Sequence, residues 1–172
     1  MRIVNGTEAV FHAGEREAHR RFGVEELARE MQGTIAPQLS AGQARFMDAQ
    51  AFCFITVREP SGALWSQVLP RVETPQGTYP LLAFGDARTF HFLADTERDA
   101  RLLAGAGGAA GLVFVDFARG ARLRVNGDLD VVDDAVLPGF RSPLGHRLMQ
   151  LRVAQAYANC PARIVRMALP KE

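Results

Sequence analysis

The chain has 172 residues, 48% hydrophobic and 23% charged, with a formal net charge of +1. That length and balance suit one domain with a sizeable core, and near-neutrality excludes a global basic field for nucleic acid or a membrane surface. No apolar leader opens the sequence and no run of about 18 apolar residues occurs, so a soluble, reducing, cytoplasmic location is expected.

Residues 1–50 read as a helical extension. Residues 14–22 are rich in helix formers with Gly23 as a stop, and 24–31 carry Leu27, Ala28 and Met31 along one stripe. After Pro37, Ser40 caps a third helix over 41–49 that turns Phe46 and Met47 inward.

From residue 51 the period becomes two, and 51–172 read as the main body. Residues 51–58 and 63–69 form a hairpin about the turn Glu59-Pro60-Ser61-Gly62. A long loop spans 70–80, and 81–84 and 89–93 are short strands. Thr96-Glu97-Arg98-Asp99 has the pattern of a capping box opening a helix that ends near Leu103. The glycine-rich run 105–111 matches G-x-G-x-x-A but lies after a helix and before a strand, the reverse of a dinucleotide site, so it is expected to be a loop.

The central hairpin follows. Residues 112–117 are apolar on both faces. Residues 122–131 alternate, with Leu123, Val125, Leu129 and Val131 on one face and Arg122, Arg124, Asn126, Asp128 and Asp130 on the other. Gly120 suits the positive φ of the turn. Two arginines two apart on a strand offer planar forks for a phosphate or carboxylate; cross-strand charge pairs are the competing reading. A loop over 138–145, a last strand over 148–153 and, after Pro161, a short helix over 162–167 complete the chain. Short strands in a meander with one internal helix predict a mainly β (α+β) fold, a small antiparallel barrel with flanking helices.

No nucleophile elbow, Walker loop, zincin helix or Cys-x-x-Cys occurs, and the two cysteines, Cys53 and Cys160, make neither a disulfide framework nor a zinc site. The four histidines, His12, His19, His91 and His146, are scattered. No catalytic side chain is therefore assigned, and any redox chemistry falls to a bound cofactor.

Four blocks in order are shared with a known group. They are Phe11-His12-Ala13-Gly14-Glu15, Gly62-Ala63-Leu64-Trp65-Ser66, the run from Val113 to Arg119 with Arg122 to Gly127, and Gln155-Ala156-Tyr157-Ala158-Asn159-Cys160-Pro161. The set resembles the pyridoxamine 5′-phosphate oxidase-like, FMN-binding split-barrel family. The resemblance implies a six-stranded antiparallel split β-barrel, a homodimer with FMN held between subunits, and flavin-mediated hydride transfer on a small-molecule substrate. It implies flavin contacts from Trp65, Ser66, Gln67, Val68, Arg119, Arg122 and Arg124, with Asn126, Asn159 and Cys160 lining the same region. Relatives commonly carry a Gly-Pro-Pro-Gly-Phe-like run where this chain has 69–77, and the substrate-phosphate pattern of true pyridoxamine phosphate oxidases is absent, which points away from vitamin B6 oxidation. A non-catalytic flavin- or ligand-binding sensor or carrier, and a barrel using haem or a deazaflavin with one of the histidines as axial ligand, are the alternatives.

Overall fold

A computed structural model describes residues 10–75, 77–158 and 164–167. Helix α1, Ala13–Phe22, opens on His12, whose Nδ1 accepts from the N–H groups of Gly14 and Glu15 while Glu15 accepts from the His12 N–H. It closes on Gly23 at φ 63°, a left-handed C-cap. Helix α2, Glu25–Gln32, follows; neither it nor α1 contains a buried residue. Helix α3, Ala41–Asp48, starts from the Ser40–Gln43 capping box and buries Met47.

The strands are β1 (Phe52–Arg58), β2 (Leu64–Pro70), β3 (Glu73–Thr74), β4 (Gly77–Thr78), β5 (Ala83–Asp86), β6 (Thr89–Asp95), β7 (Gly108–Asp116), β8 (Ala121–Val132) and β9 (His146–Ala158). Helix α4, Ala100–Ala104, lies between β6 and β7. One seven-stranded sheet runs β2-β1-β7-β8-β9-β6-β5, its neighbours antiparallel, and β3 and β4 make a separate ribbon inside the loop 70–80. The sheet is open between β2 and β5. The mainly β fold with flanking helices is as the sequence predicts, with seven strands in the main sheet where six were expected.

The sheet curls about a core that includes Cys53, Ile55, Phe90, Leu112, Phe114, Val125, Leu129, Met149 and Leu151, with Met47 of α3 and Leu102 of α4 packed into it. Inward positions of β8 alternate (Leu123, Val125, Gly127, Leu129), so period two is kept through all of its length. A smaller cluster of Val72, Leu93 and Leu148 lies apart from it, covered by Tyr79, Leu137 and Phe140.

Three local expectations are corrected. Only 105–107 of the glycine-rich run form a turn; Gly108 to Gly111 pair with Leu129 to Asn126 and belong to β7. The small residues suit crowding there: a Cβ on Gly111 would meet Asn126 Oδ1 at 3.1 Å, and one on Gly105 would meet Val57 at 2.7 Å. The capping box expected at Thr96 is not made, and α4 begins later, at Ala100, with Asp99 as an N-cap that makes no side-chain cap bond. Asp95 accepts from the N–H groups of Glu97 and Arg98, and Asp99 accepts from the Asp95 N–H, whereas the Thr96 hydroxyl donates to the Gly145 carbonyl. The last helix over 162–167 is not formed in its described part: residues 164–167 have no regular structure, and Met167 N–H donates to the Phe117 carbonyl at the tip of the central hairpin.

β8 pairs along β9 with a register shift after Asn126, where Asn126 faces Gln155 and Gly127 faces Val153. A Cβ on Gly127 would stand 2.1 Å from the Arg152 carbonyl oxygen. Gly127→Ala is therefore expected to lower stability by about 2–3 kcal/mol, read as a reduced urea midpoint; an unchanged midpoint would mean that the bulge relaxes freely.

Candidate functional site

Alternation puts every second residue of β2, β1, β7, β8 and β9 on the outer face of the sheet, and the register aligns them in rows. One row reads Val68, Phe54, Val113, Arg124, Tyr157. The next reads Ser66, Thr56, Gly111, Asn126, Gln155. On the other side of the first row, Val115 faces Arg122 and Pro70 faces Phe52, whose ring stands edge-on to Phe54 at 5.8 Å. The face thus has an exposed aromatic and aliphatic floor, a hydroxyl edge where Thr56 and Ser66 are bonded at 2.7 Å, and a cationic edge.

The cationic edge is unpaired. Among the described residues Arg122 and Arg124 have no acidic partner, and Arg122 Nε is buried without any hydrogen-bond partner. The competing reading of cross-strand charge pairs is therefore not what these two side chains do. A buried guanidinium N–H with nothing to donate to is costly, and two unpaired guanidinium forks side by side suit an anion. Asn126 is oriented rather than free: its amide donates to Gln155 Oε1 at 3.1 Å, and Gln155 in turn donates to the Val10 carbonyl at 2.9 Å.

The remaining predicted residues divide. Ser66 and Val68 lie on this face, with Ser66 three strand spacings, about 14 Å, from the β8 row. The hydroxyl and the arginines thus stand too far apart to hold one phosphate together. Arg119 sits in the hairpin turn, largely exposed, 3.7 Å from Asp116. Asn159 and Cys160 lie outside the described residues.

Trp65 and Gln67 point to the opposite face of β2. Trp65 Nε1 donates to Gln67 Oε1 at 2.8 Å, and Gln67 Nε2 donates to Asp99 Oδ1 at 2.9 Å. Arg98 clasps the same Asp99 carboxylate through Nε and Nη2 at 3.0 and 2.9 Å. Arg101 stacks over the Trp65 ring at 3.8 Å and binds Glu59. This network ties β2 to α4 and sets the tilt of the edge strand that carries Ser66 and Val68. Sequence reading missed Asp99, Arg101 and Glu59 in this role; the only signal was an acid four residues after Asp95.

The histidines are engaged elsewhere. His12 caps α1, His19 stands edge-on to Phe11 at 4.7 Å, and His91 is buried between the Ala83 carbonyl and Gln150. His146 lies 3.9 Å from Asp95 beside an open polar cleft of about 260 Å³ lined by Asp133, Asp134, Ser142 and Arg147. Cys53 is a core residue whose thiol burial pushes up to about 12, so it is no nucleophile.

No family model matches the chain, and no curated protein does. Solved structures do. One, from Lactobacillus delbrueckii and provisionally described as a pyridoxamine 5′-phosphate oxidase, is 17% identical, with a TM-score of 0.52 over 71% of this chain and 95% of its own. HupZ of Group A Streptococcus is 12% identical, with a TM-score of 0.51 over 70% of this chain and 93% of its own. At such identities the likeness carries the architecture.

The Asp99 network gives two measurable consequences. Burial pushes the Asp99 carboxyl up, but the Arg98 guanidinium, the Asp95 N–H and the Gln67 amide outweigh it and hold the carboxyl below the ordinary aspartate value of 3.8. Such a group adds stability above its unfolded value and loses it as pH falls through the folded value. Asp99→Asn is expected to flatten the acid limb of the stability profile below about pH 4. Asp99→Ala is expected to cost about 2–3 kcal/mol in urea unfolding at neutral pH, because it strands the Gln67 and Asp95 donors.

Proposed function

On the pyridoxamine 5′-phosphate oxidase-like split-barrel fold, which this chain has, we propose that the outer face holds FMN and that the protein is a flavin-dependent oxidoreductase acting on a small molecule. The carrying observation is the unpaired Arg122–Arg124 edge, with a buried and unpartnered guanidinium N–H, beside an exposed apolar floor. FMN has matching parts: a flat apolar ring system and a phosphate dianion on a flexible chain.

The residues present fit that group. Arg122 and Arg124 project from one side of β8 and suit bidentate hold of a phosphate. Phe52, Phe54, Val68 and Val113 offer apolar surface to a ring, and Gly111 keeps the strand beneath it free of bulk. The Ser66 and Thr56 hydroxyls and the Asn126 amide, fixed by Gln155, supply polar contacts at the far edge and orient the ligand. When bound, FMN supplies the two-electron hydride chemistry; the chain contributes binding, orientation and exclusion of water.

A ring lying on one open sheet face stays half in solvent, so the reading includes a second copy of the chain as the cover. Each of the four histidines has its own structural engagement, which favours a flavin over a haem held by an imidazole.

The test is the visible spectrum of the purified chain, repeated after incubation with FMN and desalting. A retained flavin band is expected, bleached by a reduced nicotinamide or another two-electron donor; retention without reduction would instead favour a carrier or sensor. Arg122→Ala and Arg124→Ala are each expected to weaken FMN binding by about ten- to a hundredfold, the value of a charge-assisted hydrogen bond. If neither change moves the affinity, the phosphate is not held by β8.

A further inference from the structure

We propose that Gln155 is a positioning residue that fixes the polarity of the site: it turns the Asn126 amide so that Oδ1 faces the ligand. The site then selects a molecule that brings an N–H to that point, in FMN the N3–H, the one N–H of the oxidised ring. The proposal rests on the FMN reading above and deepens it.

The chain of bonds has a single direction. A backbone carbonyl can only accept, whereas a side-chain amide donates at one end and accepts at the other. The Val10 carbonyl is met by the Gln155 NH2 at 2.9 Å. The Gln155 oxygen is thereby left for Asn126, whose NH2 donates to it at 3.1 Å. Were the Asn126 amide turned over, two carbonyl oxygens would face each other.

The start of the chain is itself held. Next to Gln155, Ala156 exchanges both backbone hydrogen bonds with Ala36, at 2.8 and 3.1 Å. Next to Val10, the Phe11 carbonyl accepts from Arg16 at 2.6 Å.

A bulge in β9 delivers Gln155 to this face. Arg152 lies opposite Asp128 and Val153 opposite Gly127, but Asn126 lies opposite Gln155, so Ala154 is the extra residue. Without it, alternation would set Ala154 beside Asn126 and turn Gln155 toward the core.

Space is kept for the oxygen. Gly111 is the β7 neighbour of Asn126, and a Cβ there would stand 3.1 Å from Oδ1. Among the described residues nothing donates to Oδ1. Arg124 stands two residues away along β8, about 7 Å, so the edge asks for an anion and a donor on one molecule. A ligand hydroxyl can adapt to either polarity, but an N–H cannot. A fixed acceptor therefore discriminates at the N–H.

The experiment compares FMN with 3-methyl-FMN on the full-length chain, following binding by flavin fluorescence. The unaltered chain is expected to prefer FMN by at least about tenfold, because the methylated ring leaves Oδ1 unmet. In Gln155→Met the ratio is expected to fall below about threefold, since a freed Asn126 can turn its NH2 to the ring carbonyls beside N3. Equal weakening of both flavins with the ratio kept would mean a purely structural Gln155 and overturns the proposal, as does an unaltered chain that binds both alike. The ligand-free chain supplies a second readout by nuclear Overhauser contacts. The Asn126 NH2 protons are expected to lie against the Gln155 side chain; contacts to the Gly111 α-protons would show the opposite polarity and overturn the proposal. A chain that binds neither flavin while keeping the Gln155 contacts overturns the FMN reading and leaves the positioning role standing.

Discussion

Strand β8 is hydrogen-bonded on both sides, to β7 and to β9, and this constraint governs the rest of the molecule. A strand with two neighbours cannot turn away from either, so its two faces have fixed destinations. Leu123, Val125 and Leu129 must fill the interior, and Arg122, Arg124, Asn126, Asp128 and Asp130 must all go outside. The core therefore forms on one side, and five polar side chains are delivered to the other in a single line. Where the strand needs to bend, Gly127 lets the Arg152 carbonyl come closer than any Cβ would permit.

That line of side chains is ordered by sign. The two arginines come first and the two aspartates last, with Asn126 between them. Residues four apart on a strand are separated by about 13 Å, so Arg124 and Asp128 stand too far apart to neutralise each other along β8. Across the ladder, Arg124 meets Val113 and Tyr157, and Arg122 meets Val115, none of them acidic. The register thus leaves positive charge uncompensated beside apolar surface. Leaving a buried guanidinium N–H without a partner costs about 1–3 kcal/mol.

Alternation, glycine stops and oxygen caps were legible in the sequence: β1, β2, β6 and β8, the Gly23 stop and the Ser40 cap stand where the residues indicate. The extent of β7 and β9 was not. Gly108 to Gly111 have no intrinsic strand preference, and only pairing with a long β8 makes them a strand. The box expected at Thr96 is not made because its hydroxyl goes to the Gly145 carbonyl, 49 residues away, and Asp95 instead holds the turn that precedes α4. His12 as an N-cap has no sequence signature, since imidazole is an unusual acceptor for that place. The site was half legible for a simple reason of parity. Four successive residues of β2 cannot share one face, so Ser66 and Val68 join the arginines' side while Trp65 and Gln67 go to the Asp99 network.

The two groups on β2 are nevertheless coupled. The strand is an edge strand, held on one side by β1, and an edge has little to fix its twist. Trp65 and Gln67 supply that fixation from behind: the indole, the amide, the buried Asp99 carboxylate and Arg98 form one chain of hydrogen bonds anchored at α4, with Arg101 stacked on the indole and bound to Glu59 at the hairpin turn. Val68 and Ser66, pointing the other way, inherit their positions from this anchorage. The β2 side of the apolar floor is therefore braced from behind, and a surface already held in place lowers the ordering cost for a flat ligand lying on it.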